Sequence, residues 1–351
     1  MLVSDFNYNL PEDRIAKFPP KIRGTTNLLV LNRKTGKYQD SKYKDLVDFL
    51  NPGDVLILND TRVMQSRIFC ELPDGRKREL VVLEKHGDEP QRVMYRGKLH
   101  DGDELTVKNH KIFIKQILGN GIAEAESETP LADLAEKYGT VPLPPYLHRD
   151  ATEDDKKRYQ TVWAKNMGSA AAPTASLNMT EELLDRIKQK GVIVKYITLH
   201  VGLGTFLPIR TDNIEDHKMH SEWYHIPEDT LAAIGDWKKP SEDHKLGRAA
   251  SSVSEDGCSN RRIIALGTTV ARTLEYYAKT GKTEGEDDIF IYPGFEFKIV
   301  DALITNFHAP KSTVLMLTAA FAGWDHLKPA YEHAIEKKYN LLSYGDSMFI
   351  C

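Results

Sequence analysis

Cysteine is scarce and scattered. Cys70, Cys258 and Cys351 are the only three in 351 residues, none in a CxxC spacing, which excludes a disulfide framework and a thiolate zinc site and suits a reducing compartment. Long apolar runs are also missing: no stretch approaches the ~18 uninterrupted apolar residues of a membrane span. The opening residues carry Asp5, Glu12 and Asp13 without the apolar core of ~7 residues that a signal peptide needs, so a cytoplasmic location with no membrane partner is expected. Charge of one sign is not in excess. Lys plus Arg number 47 against 51 Asp plus Glu, a net charge of −4, so a nucleic-acid partner would have to be held by a local basic surface. Gly 23 and Pro 17 with 41% hydrophobic residues rule out collagen-like and largely disordered chains. No fixed-period repeat, P-loop, kinase motif set or nucleophile elbow is present.

What the chain does have is a change of periodicity, made twice. Its length exceeds what one core usually serves, so two domains are expected. The runs Asn27 to Asn32 and Asp54 to Asn59 read as buried strands, with a short helix from Asp45 to Leu50 between them. From Gln65 to about Tyr146 six short strands follow: Arg67 to Glu71, Leu80 to Glu84, Gln91 to Tyr95, Glu104 to Val107, Lys111 to Leu118 and Ile122 to Glu126. Pro73-Asp74-Gly75, Asp101-Gly102 and Gly119-Asn120-Gly121 punctuate them. Strand and helix then alternate to the C-terminus, with a helix from Thr180 to Lys190, a strand from Val192 to Val201, and strand–helix pairs at 262–278 and 301–322. The six short strands suggest a small β-barrel or sandwich, and the expectation is an α/β main domain, residues 1–64 and 147–351, interrupted by a small β-barrel domain at 65–146. Lys238 to Asn260 reads as a surface loop.

Several constellations sit at predicted strand ends. His217 to Glu222 places two imidazoles and a carboxylate in a metal-like spacing, but the rest of a metal site is missing nearby, and a polar strand entrance with His220 and Glu222 on one face, or a substrate-contacting version of it, is favoured. Gly202-Leu203-Gly204-Thr205-Phe206 follows a strand, yet Pro208 and the missing third glycine exclude the usual dinucleotide loop. The two glycines either admit a ligand close to the backbone or make a tight turn. Gly267-Thr268-Thr269 and His308 to Thr313 both join a strand to a helix, where free N–H groups suit an anion and Lys311 adds charge. Asn59-Asp60-Thr61-Arg62 offers a carboxylate and a guanidinium, as a hinge lock or a functional pair. Ser343 to Asp346 is a turn or a pocket edge, and Arg158-Tyr159-Gln160 is a nucleic-acid contact or a solvated helix end. Candidate bases are His200, His308, Asp60 and Asp346.

Taken in order, these motifs resemble one family, the S-adenosylmethionine:tRNA ribosyltransferase-isomerases. The resemblance rests on DVLILNDTR (54–62), VPLPPY (141–146), RYQT (158–161), GSAAAPT (168–174), TLHVGLGTF (198–206), HKMHSE (217–222), LGTTVARTL (266–274), DIFIYPG (288–294), VDALITNFHAPKST (300–313) and SYGD (343–346). Departures are Asn178 in Ser176-Leu177-Asn178-Met179, where the family usually carries an imidazole, Asn27 for a usual arginine, Gln65-Ser66 for a usual Pro-Ala, and the long 238–260 loop.

The resemblance implies transfer and isomerisation of the ribosyl part of S-adenosylmethionine onto 7-aminomethyl-7-deazaguanine at the tRNA wobble position, with release of adenine and methionine. A sulfonium acidifies its neighbouring carbons and makes methionine a leaving group, so S-adenosylmethionine enters as substrate and no metal is expected. By the same resemblance His200 and His308 are the expected proton-transfer pair, with Asp60 as a third catalytic candidate. Gly202, Gly204, Thr205, Thr268, Thr269, Lys311 and Ser312 would hold S-adenosylmethionine, and Arg62, Tyr146, Arg158, Tyr159 and Gln160 would meet the RNA. Thr174, Asn178, His220, Glu222, Arg272, Tyr344 and Asp346 complete the expected substrate contacts. The barrel would grip the tRNA anticodon arm, and the chain would act as a monomer. A relative modifying another deazapurine or RNA, or a non-catalytic tRNA-binding protein, are the rival readings.

Overall fold

The computed structural model describes residues 1–83, 91–119, 121–202, 209, 211–235 and 261–351. The 238–260 loop, Gly204 and Thr205 lie outside the described residues. In chain order the elements begin with β1 (Asn27–Leu31), β2 (Tyr38–Lys42) and β3 (Val55–Asn59). There follow β4 (Thr61–Val63), β5 (Arg67–Glu71), β6 (Lys77–Val82), β7 (Gln91–Arg96), β8 (Glu104–Val107), β9 (His110–Gly119) and β10 (Ile122–Glu126). Next come α1 (Leu131–Tyr138), α2 (Glu153–Arg158), β11 (Asn166–Ser169), α3 (Glu181–Gln189), β12 (Ile193–Leu199), β13 (Glu222–His225) and α4 (Glu228–Ile234). The last are β14 (Ile263–Leu266), α5 (Thr268–Thr280), β15 (Glu284–Asp287), β16 (Ala302–Asn306), α6 (Thr313–Ala322), α7 (Trp324–Glu336) and β17 (Ser347–Ile350).

The chain divides into two compact units, one of Met1–Asp60, Pro173–Leu199 and Thr205–Cys351, the other of Thr61–Ala172 and His200–Gly204. The first unit is built on a nine-stranded sheet in the order β15-β13-β12-β3-β14-β16-β17-β1-β2. Its centre, β12-β3-β14-β16, is parallel throughout. Every residue of β3 is buried, as expected of a strand covered on both faces, and this is why Val55 to Leu58 reads as an uninterrupted apolar run. The predicted helix Thr180 to Lys190 is α3, its Thr180 hydroxyl accepting from Leu183 N at 3.1 Å. The short helix expected from Asp45 to Leu50 is a 3-10 helix, Tyr43–Phe49.

The second unit holds a closed six-stranded barrel in the order β10-β7-β6-β5-β8-β9. Alternate residues along β5, β8 and β10 are buried, which is the inward half of a strand whose other half faces out. Ile68, Leu80, Val93, Leu105 and Ile112 fill the interior, and α1 adds Leu131 and Leu134 to the same cluster. This unit takes in more chain than the 65–146 insertion expected from the sequence, because β4 pairs with β11 in parallel and so draws in both flanks.

Candidate active site

Four parallel neighbours end at one rim, and in open α/β sheets that rim is where loops can converge on a ligand. Here it carries Asn59 and Asp60 after β3, Gly267 after β14, and Asn306 through His308 at the end of β16. Asn59 ties the rim to the end of β12: its amide nitrogen donates to Leu199 O at 2.9 Å, and its carbonyl accepts from Leu199 N at 3.1 Å. Asp60 accepts from the Thr198 hydroxyl at 2.7 Å.

His308 is held from several sides. Its Nε2 lies 2.8 Å from Thr305 Oγ1, its N–H donates to the Tyr331 hydroxyl at 2.9 Å, and its carbonyl accepts from the Tyr8 hydroxyl at 2.6 Å. The ring is only partly exposed, and burial pushes its pKa down to about 3, because a charged imidazolium is poorly solvated there. Lys311 adopts a left-handed φ of 58°, and its N–H donates to Phe6 O at 2.9 Å, so Phe6 and Tyr8 fasten both ends of this loop. Ser312 closes the α6 N-terminus by accepting from Leu315 N at 3.2 Å. The α5 N-terminus has no such cap, since Gly267 at φ 103° has no side chain to offer.

Thr174 donates its hydroxyl proton to Asn306 Oδ1 at 3.0 Å. Asn178 is buried and donates to Gly345 O at 2.9 Å and to Ser347 Oγ at 3.2 Å. Asp346, expected as a base or substrate contact, is instead a latch. Its carboxylate accepts from Asn27 N at 2.6 Å, Asn27 Nδ2 at 3.1 Å and Asn340 N at 2.7 Å, and burial raises its pKa. The adjoining Tyr344 is buried. Glu222, read as one face of a strand entrance with His220, is buried while His220 is exposed. Glu222 and Asp287 both grip Arg272, the Asp287 contact measuring 3.2 Å. Thr268, Thr269 and Arg272 line a cavity of about 20 Å³, roughly one water probe in size. Among the described residues no group of three His, Cys, Asp or Glu could hold a metal, and no helix is long and apolar enough to cross a membrane.

The remaining predicted residues belong to the barrel unit. His200 sets its Nδ1 2.8 Å from the Thr61 hydroxyl. Its ring lies against Gly168, where an added Cβ would come within 2.5 Å of Nε2, so only glycine admits it. Gly202 is buried beside Val201, whose carbonyl receives Ala170 N and Ala171 N. Arg62 is exposed, and Tyr146 and Arg158 are half-buried. Tyr159 is fully buried and presents no ring to an RNA base, while Gln160 spends both amide ends on the Val63 backbone, at 3.0 and 2.8 Å. Both are packed inward here, because this helix end is buried where a solvated one would display its side chains. A cleft of about 290 Å³ lined by Arg67, Arg96, His148 and Arg149 with Glu79 and Asp150 is a feature that sequence reading missed. Its members are scattered over 83 positions and share no local pattern.

Comparisons with known proteins identify the family. A family model described as queuosine biosynthesis protein matches residues 3–245 and 241–350. Proteins named S-adenosylmethionine:tRNA ribosyltransferase-isomerase from Pelodictyon phaeoclathratiforme and Chlorobium phaeobacteroides are each 50% identical over 359 aligned positions, covering 100% of both chains. One from a Sulfurihydrogenibium species is 44% identical, again over 100% of both. The crystal structure of an S-adenosylmethionine tRNA ribosyltransferase from Thermotoga maritima superposes with a TM-score of 0.54 at 30% identity, covering 99% of this chain and 100% of the other. On full-length identity and shared architecture together, this chain belongs to the S-adenosylmethionine:tRNA ribosyltransferase-isomerase family.

Proposed function

We propose that this enzyme transfers and isomerises the ribosyl moiety of S-adenosylmethionine onto 7-aminomethyl-7-deazaguanine at the wobble position of tRNA, giving epoxyqueuosine and releasing adenine and methionine. The observation that carries this reading is half-identity over the whole chain to proteins named for the reaction. The sulfonium supplies the activation, so the protein's task is to orient two large substrates and move protons.

The geometry divides those tasks unevenly. His308, pushed to about 3, is neutral near pH 7. It holds a proton too weakly to be an effective base or an imidazolium acid, and so serves as a neutral hydrogen-bonding group at the rim. His200, oriented through Nδ1 by Thr61, is the better candidate for proton abstraction. Asp60, partly buried and bonded to Thr198, is the candidate carboxylate. The RNA is assigned to the barrel unit through Arg62, Tyr146, Arg158 and the arginine-lined cleft, where the Arg96 side chain is 77% exposed.

Purified enzyme incubated with S-adenosylmethionine and tRNA bearing the aminomethyl base should release one adenine per modified tRNA, with epoxyqueuosine found by nucleoside mass spectrometry. Salt-dependent tRNA binding without adenine release would overturn the proposal. In single turnover His200→Ala should be the slower of the two histidine variants, and wild-type rates in both would remove the histidines from the chemistry.

A further inference from the structure

Asn306 is 2% exposed, and its Nδ2 has no hydrogen-bond partner among the described residues. A buried amide donor left unpaired is costly, so native structures rarely keep one without a purpose. As the amide stands, Oδ1 accepts from the Thr174 hydroxyl at 3.0 Å, which leaves Nδ2 as the open end. The Thr269 hydroxyl is also buried, with no partner among the described residues.

Both lie by the uncapped N-terminus of α5. Gly267 N donates to Ile304 O at 2.8 Å, so α5 starts beside β16 two places before Asn306. The turn containing Thr174 closes the same space, for a Cβ on Gly267 would stand 3.7 Å from both the Ala175 Cβ and the Thr269 hydroxyl. While α6 is capped by Ser312, α5 has no side-chain cap and keeps its first-turn N–H groups and positive dipole end available. Arg272, one turn further along α5, holds the carboxylates of Glu222 on β13 and Asp287 on β15. What gathers at this point is donors, and the complement is a compact anion.

We infer that Asn306 Nδ2, with the first turn of α5, binds the carboxylate of the methionyl part of S-adenosylmethionine, and that Lys311 does not. This rests on S-adenosylmethionine being the substrate. Of that molecule's groups the carboxylate alone carries negative charge, and it can accept from an amide and helix N–H groups together.

The test is calorimetric titration of S-adenosylmethionine and of its decarboxylated analogue into wild type and Asn306→Leu, each with and without saturating tRNA. The variant should bind S-adenosylmethionine about tenfold to a hundredfold more weakly, the usual effect of losing a hydrogen bond to a charged group, and bind the decarboxylated analogue as wild type does. Equal weakening of both ligands, or of neither, overturns the assignment. Should Asn306→Leu fail to fold, Thr174→Val releases the amide, and an unchanged preference for S-adenosylmethionine over the analogue there overturns it too. Binding is read apart from turnover. If S-adenosylmethionine binding alone is weakened in Asn306→Leu but wild type releases no adenine, the reaction is overturned and the carboxylate site supported, whereas wild type that binds no S-adenosylmethionine overturns both.

Discussion

Replacing Arg272 by methionine is the most demanding test of how the sheet's antiparallel edge is held. Arg272 is 6% exposed, and its partners Glu222 and Asp287 are 2% and 0% exposed, so the substitution takes from two interior carboxylates the guanidinium that they share. Breaking a buried ion pair in this way costs about 3–5 kcal/mol, and at about 2–4 °C per kcal/mol the unit's Tm should fall by about 6–20 °C. The deficit has a pH signature. Burial, helped by Glu222, already raises the Asp287 carboxyl pKa although Arg272 opposes it. Without Arg272 the folded state prefers the protonated acid more strongly still. A carboxyl raised on folding binds more protons folded than unfolded, so stability is kept below its unfolded pKa and lost as pH rises through the folded one. Urea melts of Arg272→Met should therefore show a smaller deficit at pH 5 than at pH 8, and adding Glu222→Gln and Asp287→Asn should restore more than half of the loss. A deficit under about 1 kcal/mol, or one that grows toward pH 5, would refute the reasoning and return Glu222 and Arg272 to the list of substrate contacts.

Three further outcomes follow from the same geometry. Because burial depresses the His308 imidazole to about 3, wild type should lose stability as pH falls below about 6.5, by at most about 1.4 kcal/mol per unit; His308→Gln should flatten that limb in equilibrium melts, and an unchanged slope would count against the depression. Tyr8→Phe removes the bond to the His308 carbonyl and should cost about 1 kcal/mol and slow adenine release without changing tRNA affinity, as measured by melts and filter binding. Cys70 is buried with its thiol pushed up to about 12, so a thiol reagent at pH 8 should leave it unmodified in the folded protein and label it in urea.

Much of this was legible because the informative residues are local. The central strands announce themselves as apolar runs, and the barrel strands by alternation and turns. β2 escaped because Tyr38 to Lys42 is a mostly exposed edge strand whose composition is that of a loop. Side-chain fates were harder, since they depend on partners far along the chain. Nothing near Tyr159 signals full burial, and Glu222 meets Arg272 across 50 positions. Asp346 meets Asn27 across 319, and Asn306 gains its meaning only when Thr174 occupies its Oδ1. The motif strings located the rim; deciding which of its polar groups are already spoken for required the hydrogen bonds.

The order of the strands also bears on how the protein is made. β3 is flanked by β12 and β14, and β1, which can pair at once with β2, has β17 on its other side, so an N-terminal segment emerging from the ribosome carries two sticky apolar ribbons with open edges whose partners have yet to be synthesised. The barrel, whose strands pair almost wholly with one another, can close early. The sheet must wait for the final strand, and a message cut short before β17 would yield a finished barrel attached to an unzipped, aggregation-prone remainder.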